Sequence, residues 1–299
     1  MGFFMLVTFD IFYGVMVLIK ALPYWLIIFS TAISPNCFAD PIAQRWAQVT
    51  KPSQADVAQS IGSYTAGCIS GAASIPANGN GYQVMRPSRN RAFGHPDLKS
   101  FIIKLGQVST NQHWGSLLIG DLGQARGGPT ISGHKSHQTG LDVDIWFLLL
   151  NSATAHPLST DEREHWSAPS VLLSGTDYLN PKHWSDTNER ILAAAASMPE
   201  VDRIFVNPSI KKELCWHYSK EDWLRKIRPW WHHDDHFHVR LKCPSANPHC
   251  QAQEPLPKGN GCDSELAWWF TEEAKHPTPS KVITKPASLP KLCEKVLKQ

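Results

Sequence analysis

His236-Phe237-His238-Val239-Arg240-Leu241 alternates polar with apolar side chains, and so does Leu141-Asp142-Val143-Asp144-Ile145-Trp146-Phe147. A period of two puts alternate residues on opposite faces of a strand. Phe237, Val239 and Leu241 therefore share one face, and His236, His238 and Arg240 the other. Asp142 and Asp144 likewise share a face of their own strand. Each strand is preceded by a histidine-bearing segment. Upstream of the first aspartate runs Ser132-Gly133-His134-Lys135-Ser136-His137, with Gly140 breaking the chain before the strand. Upstream of His236 runs Trp230-Trp231-His232-His233. A catalytic zinc takes three protein ligands of histidine and carboxylate type and keeps one position open. His137, Asp144 and His238 can meet at one point if the Gly140 loop folds back and the two strands are neighbours. His236 and His233 are then placed to carry protons.

Against this stands a plainer account, in which a lone His-x-His is a surface strand and the aspartates are a solvated face. The combination of two histidine-rich segments beside two strands argues for a metal. No G-x-S-x-G and no HExxH occurs to offer another chemistry.

The remaining chain frames these segments. It has 299 residues, 42% of them hydrophobic, enough for one large core or two modest ones. A net charge of +3 gives no support for nucleic-acid binding. Residues 1–39 read as an export signal, with cleavage after Ala39; a start at Met16 gives a cleaner signal than Met1. Its apolar runs fall short of the ~18–20 residues that span a bilayer. Removing Cys37 leaves Cys68, Cys215, Cys243, Cys250, Cys262 and Cys293, an even count that favours disulfides in an exported chain. Six cysteines allow 15 pairings, and spacing does not choose among them.

Residues 61–92, rich in Gly, Ser, Asn and Pro, read as loops. His95-Pro96 opens a helix over Leu98, Phe101, Ile102 and Leu105, with Gly106 as its C-terminal cap. Ser116–Leu122 and Arg203–Val206 read as strands. Asp186 to Glu189 has capping-box spacing before a helix through Ala196. Residues 151–184 carry no pattern that assigns an element. The expectation is an α+β fold: an antiparallel-sheet core with flanking helices and long loops, in a single disulfide-bonded domain. Its parts would be the signal (1–39), the domain that carries the metal site (40–270) and an extended tail (271–299) tied down by Cys293.

The segments His134–Asp144 and Arg228–Leu241, with Gly81-Tyr82-Gln83-Val84-Met85-Arg86 and Arg203-Ile204-Phe205-Val206-Asn207-Pro208, resemble the penicillin-insensitive murein endopeptidases. These belong with the D-Ala-D-Ala metallopeptidases, lysostaphin-type enzymes and hedgehog domains. The resemblance runs from about Ser60 to Cys293. It implies a periplasmic zinc enzyme that cuts D-alanyl–meso-diaminopimelyl cross-links of peptidoglycan. It implies His137, Asp144 and His238 as zinc ligands, His236 and His233 as proton carriers, and His134 beside the metal or on a second ion. It implies the disulfides Cys68–Cys293, Cys215–Cys262 and Cys243–Cys250.

One departure bears on the second zinc. Where the family can carry Asp-x-x-His, Asp177 is followed three residues later by Asn180. Arg86, Arg89 and Arg91 are candidates for the carboxylates of the substrate, and Trp230 and Trp231 for the cleft wall. Expected partners are cross-link peptides of peptidoglycan, with no nucleic acid and no stable membrane anchor once the signal is removed. A homodimer is left open. Two rival readings remain: a D,D-carboxypeptidase of the same group, and an inactive zinc-bearing peptidoglycan-binding module.

Overall fold

The computed structural model describes residues 41–131, 135–151, 156–276 and 288–299. The proposed signal and His134 lie outside the described residues. In chain order the strands are β1 (Gln59–Ser63), β2 (Ala66–Ser70), β3 (Ala73–Ser74), β4 (Asn78–Gly79), β5 (Tyr82–Val84), β6 (Phe93–Gly94), β7 (Ser116–Ile119), β8 (Asp142–Leu150), β9 (Val201–Val206), β10 (Ile227–Pro229) and β11 (His236–Leu241). Seven of them form one sheet in the order β10-β9-β11-β8-β7-β5-β4. Its centre, β9-β11-β8-β7, is antiparallel as expected. Its flanks are not, since β10 runs parallel to β9 and β5 parallel to β7.

The parallel pairs follow from helices that sequence reading placed incompletely. A parallel return needs a long crossover, usually a helix. Pro96–Asn111 lies between β5 and β7, and Pro208–Tyr218 between β9 and β10. Asn207, directly after the strand read over Arg203–Val206, is the N-cap of the second helix: its side chain accepts from the Ser209 N–H at 2.9 Å. The first helix does not stop at Gly106. That glycine is interior and buried, and a Cβ there would lie 2.5 Å from the Asn80 carbonyl oxygen. It lets the helix pass close to the chain, at some cost in helix propensity.

Residues 61–92 likewise are not only loop. β1 and β2 form a hairpin ribbon in the register Ile61 against Cys68. A Cβ at Gly67 would come within 2.4 Å of the Ile61 carbonyl oxygen. Gly67 thus marks close backbone approach rather than a turn. The helix Asp186–Ser197 forms as expected, but its capping box is Ser185 with Asn188, one residue earlier than read. In the unassigned stretch, Ser159 and Glu162 build a capping box on the helix Thr160–His165.

The main core lies on the sheet face opposite the histidines. Val143, Ile145, Phe237 and Val239 meet Phe101, Leu105, Ile191 and Leu192 from the two helices Pro96–Asn111 and Asp186–Ser197. All three disulfides form as the resemblance implied. The tail is not extended where it is described: Lys291–Lys298 is a helix. Its Cys293, Val296 and Leu297 pack on Trp46, Ile61 and Cys68. Arg126 Nη1 donates at 2.9 Å to the carbonyls of Val296 and Leu297, which the helix end would otherwise leave without partners. Among the described residues, no helix is long and apolar enough to cross a membrane.

One buried charge makes stability depend on pH. Lys211 is fully buried on the helix Pro208–Tyr218, and its Nζ donates to the Leu224 carbonyl at 2.7 Å and that of Asn260 at 2.6 Å. Burial first, then Arg228, pushes its pKa down to about 7 from 10.5. Between those two values the unfolded chain binds a proton that the folded chain does not. Stability should therefore rise as pH climbs from about 7 toward 10. Urea midpoints at about pH 7.5 and 9.5 should differ less in a Lys211→Met variant than in the parent. An equal slope in both would assign the effect elsewhere.

Candidate metal centre

The sheet register builds the site. β11 lies antiparallel to β8 with His238 opposite Asp144 and Arg240 opposite Asp142. Directly opposed residues put their side chains within reach of each other on one face. His238 Nδ1 is 3.1 Å from Asp144 Oδ1. His137 comes from the loop before β8, held at a φ of +68° that a non-glycine residue adopts rarely. Its Nε2 is 3.4 Å from the same Asp144 oxygen, and its ring lies 4.7 Å from the ring of His238. One donor atom from each of the three lies within 4.8 Å of the others, and all three residues are buried.

Asp142, read from sequence only as a possible solvated residue, is fully buried and organises this group. Its Oδ1 accepts from His238 Nε2 and from Arg240 Nε, each at 2.7 Å. Its Oδ2 faces the backbone N–H of His137 at 3.4 Å. A proton on His238 Nε2 shared with Asp142 leaves the Nδ1 lone pair aimed at a carboxylate oxygen. That juxtaposition is unfavourable unless a cation or a second ring proton lies between them. A carboxylate behind a histidine ligand is the usual arrangement of such centres. The donor set therefore fits a divalent ion with a preference for nitrogen and oxygen, as zinc has.

The electrostatics agree. Burial alone would raise both carboxyls. For Asp142, the Arg240 guanidinium and then His238 outweigh it and hold the pKa below the usual range. For Asp144, His137 and then His236 do the same, and the shift is large. Both stay ionised. The clustering of pKa-shifted groups in one cleft marks a functional site.

His236 and His233 stand at the rim of this group. His236 Nε2 is 3.7 Å from Asp144 Oδ1, while its Nδ1 is bonded to Asp235 Oδ1. The His233 ring lies 4.9 Å from that of His236. Its Nδ1 is 2.8 Å from the Trp231 carbonyl, which can only accept, so the proton sits on Nδ1. Burial first, then His236, pushes the His233 pKa down to about 4.

His233, His236, His238 and Arg240 line a cleft of about 1290 Å³. Arg89 and Arg91 line it and pair with Asp121 Oδ2 at 3.1 and 2.9 Å. Arg86 does not line it. Its guanidinium bonds to the Glu164 and Trp166 carbonyls, which fixes the helix Thr160–His165 and withdraws it as a substrate contact. Trp230 and Trp231 both line the cleft, as expected. Phe205, which sequence reading did not single out, packs its ring 5.5 Å from that of His238; only its position on β9, next to β11, could have suggested it. Asp177 is bonded to Lys275 at 2.6 Å. A second grouping of potential ligands among the described residues, Glu189, Glu213 and His217, is bonded within itself. His217 Nδ1 meets Glu189 Oε2 at 3.0 Å, and Trp184 Nε1 donates to Glu189 Oε1 at 3.3 Å.

Comparison with known proteins agrees with the geometry. Residues 60–298 match the family model of penicillin-insensitive murein endopeptidase. A protein of that name from Haemophilus influenzae is 39% identical over 277 residues, spanning 91% of this chain and 93% of its own. One from Klebsiella pneumoniae subsp. pneumoniae is 42% identical over 257 residues, spanning 85% and 91%. One from Yersinia enterocolitica is 40% identical over 275 residues, spanning 89% and 93%. With a family model covering nearly all of its described length, this chain belongs to the penicillin-insensitive murein endopeptidase family.

Proposed function

We propose that the chain is a zinc D,D-endopeptidase that hydrolyses D-alanyl–meso-diaminopimelyl cross-links of peptidoglycan in the periplasm and is insensitive to penicillin. The observation that carries this reading is the register that sets His238 against Asp144, with His137 beside them and Asp142 behind. His137, Asp144 and His238 would hold the ion. When bound, zinc supplies Lewis-acid polarisation of a peptide carbonyl and acidifies water.

The chain's own residues do the rest. Asp142 fixes the ring of His238 so that Nδ1 faces inward. Asp235 keeps the proton of His236 on Nδ1, which leaves Nε2 to take a proton from the attacking water and return it to the leaving amine. His233, neutral above pH ~5 because of its depressed pKa, presents Nε2 as a second acceptor. Arg89, on the cleft wall and half-exposed, suits a free carboxylate of the cross-link peptides, while Arg91 is buried in its pair with Asp121. The S-D-N and K-T-G elements that accompany the S-x-x-K serine of penicillin-acylated enzymes do not occur in the sequence. Three disulfides suit an oxidising compartment.

Separate feeding of cross-linked muropeptide dimers and pentapeptide monomers tests this. Dimers should fall to monomers with terminal D-alanine retained. Release of D-alanine with intact dimers would instead make the chain a carboxypeptidase, and no turnover of either a binding module. His236→Ala should slow dimer cleavage about 10²- to 10⁴-fold, the range for losing a general base. An unchanged rate would remove His236 from proton transfer.

A further inference from the structure

A strip of indole rings beside the cleft has no part in the mechanism above. Trp230 is 54% exposed and Trp268 46% exposed. Isolated apolar residues on a surface are ordinary, but a contiguous aromatic patch calls for a partner. These rings are contiguous with the metal centre itself. The Phe205 ring lies 5.5 Å from that of His238, and Trp230 is 5.9 Å from Phe205. Trp269 is 6.2 Å from Trp230 and 5.5 Å from Trp231, and Trp268 is 5.5 Å from Trp269. The run thus leads from β9, along the cleft wall, and out onto the short helix Ser264–Trp268.

Two features fix and equip the outer end. Arg228, two residues before Trp230, is ion-paired to Glu265 and ties that helix to β10. Glu265 precedes Trp268 by three residues and Trp269 by four, so its half-exposed carboxylate shares a helix face with both indoles. Open indole faces rimmed by a carboxylate and a guanidinium suit a pyranose ring. The axial C–H groups of a sugar stack on the electron-rich indole face, and its hydroxyls donate hydrogen bonds to the carboxylate and accept them from the guanidinium.

The substrate read above supplies such rings. Its stem peptide hangs from a chain of β-linked N-acetylated hexoses, and about four extended residues span only ~13–14 Å. A peptide seated in the cleft therefore brings saccharide close to it. We propose that Trp230, Trp268 and Trp269 form a saccharide-stacking strip that holds the glycan strand while the cleft holds its peptide. This rests on the peptidoglycan reading, and the test separates the two.

Trp268 suits the test because it is exposed and does not line the cleft. Calorimetric titration of the full chain with a β-1,4-linked N-acetylglucosamine tetrasaccharide should show binding. Trp268→Ala should weaken it about 3- to 10-fold, as loss of one ring stack would, and Trp268→Tyr should restore most of it. The same Trp268→Ala variant should cleave sacculi more slowly by a similar factor, yet cleave sugar-free cross-linked peptide dimers at the parent rate. No heat with the tetrasaccharide overturns the proposal. So does equal slowing on dimers and sacculi, which would mean the indole acts through the fold. Binding to anionic phospholipid vesicles in place of the saccharide would also overturn it. A parent that cleaves neither substrate would refute the endopeptidase reading alone, since saccharide binding is read without turnover.

Discussion

Asp144→Ala should lower cleavage of cross-linked muropeptides by on the order of 10³-fold or more, and the purified variant should carry no stoichiometric zinc. Asp144 Oδ1 is the one carboxylate oxygen that three histidines of the group share: it lies 3.1 Å from His238, 3.4 Å from His137 and 3.7 Å from His236. Its loss removes the one anionic member of the proposed ligand set and leaves buried imidazoles without the charge that balances them. The Lewis-acid contribution is worth several kcal/mol, and each ~1.4 kcal/mol is tenfold in rate. Metal content by elemental analysis and rate by muropeptide chromatography check the two halves independently. A variant that keeps its zinc but loses activity would make Asp144 an electrostatic residue rather than a ligand. The melting temperature serves as the control for folding.

The second large effect concerns stability. Cys68 and Cys293 are 225 residues apart in sequence, so their bond closes almost the whole described chain into one loop. Loop entropy removed from the unfolded state grows with loop length, and losing such a bond costs about 2–5 kcal/mol. The paired variant Cys68→Ser, Cys293→Ser should therefore melt lower by roughly 4–20 °C for a chain of this size. It should also free the helix Lys291–Lys298, whose Cys293, Val296 and Leu297 pack on Trp46 and Ile61. Differential scanning calorimetry under non-reducing conditions gives the shift. Opening the Cys243–Cys250 loop, with a separation of only seven residues, should cost less. An unchanged melting temperature in the Cys68, Cys293 variant would show that packing alone holds the tail.

The site was more legible in the sequence than the fold that surrounds it. Period-two alternation over residues 141–147 and 236–241 determines which side chains share a face, and those faces carry the histidines and aspartates. The physical constraint is strict, because a slip of one residue would bury the polar set and expose the core. The ribbon of β1 and β2 and the three-residue β5 escaped reading, because glycines that permit close approach look in sequence like glycines that make turns. Gly67 and Gly106 are both of the first kind. The parallel flanks were illegible in turn: without β5 and the helix Pro208–Tyr218 there was nothing to cross over.

Asp142 shows a different limit. Alternation placed it beside Asp144, yet nothing local distinguishes a ligand from the carboxylate that orients one. Only the pairing of β8 with β11 sets Arg240 against Asp142 and turns its Oδ1 toward His238. Arg86 is the converse case. Its proximity in sequence to Arg89 and Arg91 suggested a shared role, but a left-handed turn at φ +55° sends its guanidinium to the Glu164 and Trp166 carbonyls.

Hydrolysis should depend on one divalent ion enclosed by two imidazoles and a carboxylate. The direct measurement is to strip the intact protein with a chelator, remove the chelator, and titrate zinc back while following release of monomeric muropeptides from sacculi. The prediction is no release from the stripped protein, with full recovery at one zinc per chain. Release at the parent rate from protein shown to be metal-free would contradict it.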